Sequence, residues 1–321
     1  MSAAGRLRVA FDIPSRELIG DIFDERQLAR LHRTVDLVAG PDADVVITGW
    51  GSPAFDADEL ARRPSLRALV HAAGSVKRLV TPDLWARGIR VSSCATANGV
   101  PVAEYTLATI LLSAKDVFGA AQRFAETHDM HASRPGASAG AYGITVGIVG
   151  ASRIGRRVID LLRPFDVDVV VYDPSLPDDG DGIARRVPLE RLLEMSDVVS
   201  LHAPSLPETR GMIGAPELAR MRDGAVLINT ARGALVDTDA LVTELARGRL
   251  RAVLDVTDPE PLPPGHPLFS LPGVVLTPHI AGSLGNELGR IGAQVVDEVV
   301  AFATDGALRH EITPSQLTLL A

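Results

Sequence analysis

Short apolar runs rich in Val, Ile and Leu recur along the chain, separated by stretches with helical spacing or helix-start signals. Near the N-terminus the runs are Leu7–Ile13, Asp44–Thr48, Leu66–His71 and Ile89–Ser93, and each predicts a buried strand. Between them Ser15–Leu31, Asp56–Arg63 and Thr81–Arg87 predict helices, the last opened by Thr81-Pro82, a cap followed by a first-turn proline. Pro101–Ala114 predicts a long apolar helix, and Thr127–Tyr142, rich in small residues and without periodicity, predicts a loop. The alternation then restarts. Strands are expected at Thr145–Val149, Asp168–Tyr172, Val198–His202, Ala225–Asn229, Ala252–Val256 and Val274–Leu276, with helices at Arg153–Arg163, Leu189–Glu194, Ala215–Arg220 and Thr238–Arg247. A last helix, Asn286–Ala303, carries Leu288, Ile291, Val295 and Val299 on one face. Strands alternating with helices imply parallel sheets covered on both faces, in two doubly wound α/β units, the second inserted between two long helices.

Composition narrows this picture. The 321 residues suit about two domains, and with only 4% aromatics the core must be aliphatic. A net charge of −8 argues against a nucleic-acid partner. The single cysteine, Cys94, excludes an intrachain disulfide and fits a reducing compartment. At the end of an apolar run it reads as a small buried hydrophobe rather than a nucleophile. The N-terminal MSAAGRLRVAFDI lacks the apolar core of a signal peptide, and no apolar run approaches the roughly 18 residues of a membrane span, so a cytoplasmic location is expected.

One turn has the chemistry of a nucleotide site. Gly147-Ile148-Val149-Gly150-Ala151-Ser152-Arg153-Ile154-Gly155 ends a strand and opens a helix, the context of a dinucleotide fingerprint. Ser152 stands at the middle position, where glycine is usual and a small residue suffices beside a pyrophosphate. Gly150 serves the turn and Gly155 the close helix–strand packing, while free N–H groups and the helix dipole favour phosphate. A glycine-rich turn in any strand–helix unit would look similar. Asp173 adds to the nucleotide reading, because it ends the next strand about 20 residues past Gly150. A carboxylate there accepts from ribose hydroxyls and repels a 2′-phosphate, favouring NAD over NADP. Its other reading is a turn residue before Pro174.

Three further segments lie at the carboxyl ends of predicted strands, the edge where doubly wound sheets bind ligands. They are Asn229–Asp237 with Arg232, Leu254–Leu262 with Glu260, and Leu276–Gly282 with His279. A guanidinium suits a substrate carboxylate, a histidine the proton of a hydroxyl, and a carboxylate the orientation of that histidine. Each also has a plain structural reading: Arg232 as a surface ion-pair partner, Glu260 as a turn residue between prolines, His279 as a hydrogen-bonded core histidine.

These segments resemble the D-isomer-specific 2-hydroxyacid dehydrogenase family. N-x-A-R-G-x-x-V-D, D-V-x-x-x-E-P and T-P-H-I-A-G occur in order, preceded by Leu201-His202-Ala203-Pro204 and Pro207-Glu208-Thr209-Arg210. The resemblance implies a Rossmann NAD-binding domain, residues 113–286, inserted in a flavodoxin-like substrate domain, residues 1–112 and 287–321. It implies a catalytic trio in which Arg232 binds and polarises the substrate, His279 is the acid/base and Glu260 its partner. It implies NAD contacts from Gly150, Ser152, Arg153, Ile154, Gly155 and Asp173, from Ala203, Pro204 and Thr209 on the adenosine side, and from Thr230, Ala231, Arg232, Asp255, His279 and Gly282 towards the nicotinamide. The substrate carboxylate would meet the backbone of Gly74, Ser75 and Val76, with Asn98 and Glu104 in the following hinge stretch. The family's second loop glycine and its aspartate are replaced by Val76 and Arg78, which leaves the identity of the acid open. Lys77 reads as a solvated charge beside that loop, and His202 as structural or cofactor lining. His128 and His131 have no partner at metal-ligand spacing, so no metal site is expected. A homodimer is implied by the resemblance alone.

The expected function is NAD-dependent hydride transfer to or from a small 2-keto or 2-hydroxy acid. Alternatives are a 3-phosphoglycerate dehydrogenase-type enzyme and a non-catalytic NAD-sensing protein of the corepressor kind, which keeps the same trio.

Overall fold

The computed structural model of the chain describes residues 6–177 and 182–317. They form two compact units: one combines the described residues up to Gly99 with those from Ser283 onward, and the other runs from Val100 to Gly282.

In the first unit, β1 (Arg8–Asp12), β2 (Asp36–Leu37), β3 (Val45–Thr48), β4 (Ala68–His71) and β5 (Arg90–Ser93) pair in parallel in the order β2-β1-β3-β4-β5. That is the flavodoxin-like order. Four of these strands are the expected apolar runs; β2 is too short to leave a run. The stretch Ser15–Leu31 is not one helix but two, α1 (Arg16–Ile22) and α2 (Glu25–Thr34). Asp24 restarts the helix through a capping box: its carboxylate accepts from the N–H of Gln27 at 2.7 Å, and Gln27 Oε1 accepts from the N–H of Asp24 at 2.9 Å. Two short helices follow, α3 (Ala57–Ala61) and α4 (Pro82–Ala86), the latter capped by Thr81 as expected.

Helix α5 (Ala95–Ala114) begins before Pro101, where the sequence placed its start. A helix-interior proline costs about 3 kcal/mol. Burial of Ala97, Val102, Ala103 and Ile110 on either side of it opposes that cost. A second helix, α6 (Val117–Thr127), carried no sequence signal. Asp116 precedes it at φ 55° without capping it, because its carboxylate pairs with Arg123 and Arg251, each at 2.9 Å. No helix or strand occurs between α6 and Thr145, in keeping with the predicted loop.

The second unit contains β6 (Thr145–Val149), α7 (Arg153–Leu162), β7 (Asp168–Tyr172), β8 (Arg185–Arg186), α8 (Leu189–Met195), β9 (Val198–Leu201), α9 (Ala215–Arg220), β10 (Val226–Asn229), α10 (Thr238–Ala246), β11 (Arg251–Leu254) and β12 (Val274–Leu276). All pair in parallel in the order β8-β7-β6-β9-β10-β11-β12, the Rossmann order with one further strand. Strand order reverses between β6 and β9, so the loops after these two strands face each other at the switch point. Apolar clusters line both faces of this sheet.

The chain then re-enters the first unit through α11 (Leu288–Asp305), β13 (Glu311–Ile312) and α12 (Pro314–Leu317). Leu288, Ile291, Val295 and Val299 of α11 join the core as their spacing predicted. Strand β13 pairs antiparallel with β5, so this sheet is mixed rather than wholly parallel. An antiparallel strand at the edge of a parallel sheet is common in such folds. Two residues long, it left no pattern to read. Among the described residues no helix is long and apolar enough to cross a membrane.

Candidate active site

The turn after β6 is glycine by necessity. Gly150 sits at φ 98°, and a Cβ there would lie 2.6 Å from Ala203 N and 2.7 Å from the His202 carbonyl carbon. At Gly155 a Cβ would lie 2.1 Å from the Gly150 oxygen. Ser152, in the unusual middle position, is the N-cap of α7, its hydroxyl accepting from Gly155 N at 3.4 Å. Arg153 and Ile154 open the helix, where backbone N–H groups lack a carbonyl within the helix and point outward. These features fit a pyrophosphate. Asp173 uses both carboxylate oxygens locally, accepting from Ala151 N at 2.7 Å and Ser175 N at 2.8 Å. It therefore holds the glycine turn in place, and each oxygen keeps a lone pair for a hydroxyl donor. Opposite, Ala203 is buried, and Thr209 braces the loop by donating to Pro204 O at 2.6 Å and accepting from Leu206 N at 2.9 Å. His202 is buried against Ser200, Nε2 to Oγ 2.9 Å, and burial pushes its pKa down to about 3, so the ring is a neutral support.

The loop after β10 is closed by Asn229, which accepts from Ala231 N at 3.1 Å and donates to Arg232 O at 2.8 Å. A Cβ on Gly233 would lie 2.0 Å from the Thr257 carbonyl, so the loops after β10 and β11 touch backbone to backbone. Half-buried Arg232 donates to Ala231 O at 2.5 Å. Burial lowers its pKa, and the negative charge of Glu260 opposes that shift. Thr230 is buried, its hydroxyl 2.9 Å from that of Thr106 on α5.

After β12 the chain passes through His279 in the left-handed region at φ 55°. Its Nδ1 lies 2.8 Å from Glu260 Oε1, and both side chains are about half exposed. A carboxylate only accepts, so Nδ1 carries the proton and Nε2 is left to exchange one. Asp255, 1% exposed, accepts from the Thr277 hydroxyl at 2.6 Å, Ile280 N at 2.8 Å and Ala281 N at 2.9 Å. Three of its roughly four acceptor positions are thus spent on the His279 loop, one remaining for an amide donor. Gly282 ends this segment. The structure therefore gathers Arg232, Glu260 and His279 on three neighbouring loops of one sheet edge.

The loop Ala72–Val76 follows β4 in the other unit. Val76 is fully buried, so only its backbone can meet a ligand; Gly74 and Ser75 are half-buried. Gly74 packs on Asn98, where a Cβ would lie 3.2 Å from Nδ2, and Asn98 Oδ1 accepts from Ser283 N at 2.9 Å. Sequence reasoning passed over His71, Tyr105 and Thr277. His71 is buried, 2.9 Å through Nδ1 from the Thr48 hydroxyl, and also hydrogen-bonds the backbone of Ser75; burial pushes its pKa down to about 4. A histidine ending an otherwise apolar strand was the available signal.

Residues 107–281 match the family model described as D-isomer specific 2-hydroxyacid dehydrogenase, NAD binding domain. The chain is 35% identical over 280 residues to a glyoxylate reductase of Korarchaeum cryptofilum, covering 85% of this chain and 82% of that protein. It is 33% identical over 284 residues to a D-3-phosphoglycerate dehydrogenase of Mycobacterium tuberculosis, covering 88% of this chain and 53% of that one, so it spans about half the length of that relative. A crystal structure from Thermus thermophilus matches with a TM-score of 0.75 and 32% identity, over 96% of this chain and 100% of that one.

Proposed function

The chain belongs to the D-isomer specific 2-hydroxyacid dehydrogenase family, and we propose that it works as a reductase of a small 2-keto acid through Arg232, Glu260 and His279. The family is that of NAD-dependent oxidoreductases of 2-hydroxy acids. NAD(H), held at the Gly150–Gly155 turn with Asp173 at its ribose, supplies or accepts the hydride. Arg153 and Ile154 offer N–H groups to its pyrophosphate, Ala203, Pro204 and Thr209 line its adenosine side, and Thr230, Ala231, Asp255 and Gly282 border the nicotinamide. Arg232 pairs with the substrate carboxylate and polarises its carbonyl. His279 Nε2 gives a proton to the nascent alkoxide, or takes it in the reverse direction, while Glu260 orients the ring and stabilises the imidazolium. For Gly74, Ser75 and Val76 the proposed role is backbone N–H donation to a carboxylate of the substrate. The observation that carries the reading is the 2.8 Å His279–Glu260 pair on loops adjoining that of Arg232.

A panel of glyoxylate, hydroxypyruvate and branched 2-keto acids with NADH tests it: at least one acid is expected to drive NADH oxidation. NADH binding without turnover on any acid would replace the enzyme with an NAD-sensing protein. The reading extends to a homodimer, supported by the exposed Phe124, Met130 and Tyr142 of the second unit, and to a cytoplasmic location, supported by a lone, buried cysteine. Light scattering checks the first.

A further inference from the structure

Two adjacent residues of α5 each reach a different catalytic loop. The Tyr105 hydroxyl lies 2.8 Å from Thr277 Oγ1, and the Thr106 hydroxyl lies 2.9 Å from Thr230 Oγ1. Each hydroxyl has one proton, which fixes the directions. Thr277 gives its proton to the Asp255 carboxylate, so Tyr105 must donate to Thr277. Thr106 gives its proton to Val102 O at 2.7 Å, so Thr230 donates to Thr106. Burial raises the pKa of Tyr105, which keeps its hydroxyl a donor at neutral pH.

The chain from Tyr105 ends on the residues that flank His279. Asp255 accepts from Thr277 on one side of that residue and from Ile280 and Ala281 on the other. The N–H of His279 itself faces Asp255 O and Thr277 O, each at 3.0 Å. A non-glycine residue at φ 55° holds that conformation only where its surroundings over-determine it. We propose that Tyr105 is a positioning residue for His279, acting through Thr277 and Asp255, and that with Thr106 it sets the spacing between the His279 loop and the Arg232 loop. This rests on His279 being the acid/base.

Kinetics of paired variants test it. Tyr105→Phe is expected to lower kcat roughly tenfold with NADH binding unchanged, because a small misplacement of a reacting group is costly. Thr277→Val is expected to lower kcat at least as far, while Thr277→Ser, which keeps the hydroxyl, restores the parent rate. The double variant Tyr105→Phe/Thr277→Val is expected to be no slower than Thr277→Val alone, since both break one chain. Parent-like kcat in Tyr105→Phe, or losses that add in the double variant, would overturn the proposal. If Tyr105→Phe does not fold, the Thr277→Val and Thr277→Ser pair decides by the same rates. His279→Ala separates the premise from the proposal: a variant turning over like the parent overturns both, whereas an inactive one beside an unaffected Tyr105→Phe overturns only the positioning role.

Discussion

The carboxyl edges of the two sheets share a device and differ in what they add to it. In the first unit a buried histidine, His71, ends β4, bonded to the Thr48 hydroxyl behind the loop Ala72–Val76. In the second, buried His202 follows β9, bonded to the Ser200 hydroxyl behind the Gly150–Gly155 turn. Both rings are kept neutral by burial. The second edge adds a histidine that is half open to solvent and paired with a carboxylate that is itself about half exposed, His279 with Glu260. Burial, and not residue type, separates the histidines held neutral behind a loop from the one that stands open beside a carboxylate. On the proposed function, the proton-transferring pair belongs to the second edge.

The largest effect expected is at the exposed histidine. His279→Ala should lower kcat by about 10² to 10⁴ while leaving NADH affinity nearly intact, as measured by steady-state rates and fluorescence titration. Lost binding with retained turnover would remove His279 from the chemistry. The buried histidines should instead show in stability. An unfolded chain takes up a proton on His71 below its ordinary pKa of 6.5, and the folded one only near 4, so acid favours unfolding across that window. That is worth about 3 kcal/mol for His71, and His202 acts with the same sign. Denaturant unfolding of His71→Gln should therefore lose less stability than the parent between pH 6.5 and 4; an equal loss would mean that His71 is not the buried neutral ring described. The smallest effect is one of cofactor choice. Asp173→Ala should shift the NADH:NADPH preference by roughly tenfold, about 1.4 kcal/mol. The ratio is the readout because Asp173 also holds Ala151 N, so affinity for either cofactor falls with the turn. An unaltered ratio would confine Asp173 to that turn.

What the sequence disclosed follows the length of the signal. Buried strands such as β3 and β6 are continuous apolar runs and could be read directly, as could α11 from its spaced Leu288, Ile291, Val295 and Val299. Strands β2, β8 and β13 are two residues each and are made by their neighbours, not by a pattern of their own. The break at Asp24 was visible as a capping box but hidden within one helical stretch, and the start of α5 at Ala95 was hidden by Pro101, where burial overrode propensity. In the site, Gly150, Arg232 and His279 stood out because turn chemistry and strand-end position mark them. Tyr105 and Thr277 did not, because a hydrogen bond between residues far apart in sequence leaves no local trace.

The discontinuity of the first unit bears on how the chain is made. Its core needs α11: Gly292 lets that helix pass against the Ile22 carbonyl, Gln294 bonds Ser93 O and Ala97 N, and Val295, Val299 and Phe302 fill the apolar cluster beneath β1 and β4. A ribosome delivers those residues only after all of Val100–Gly282, a segment with its own cores, has emerged. Domains tend to fold as units during synthesis. The cofactor-binding unit can thus be complete while the N-terminal strands still await their last helix, and a chain interrupted before Leu288 would carry a finished second unit and an unfinished first one.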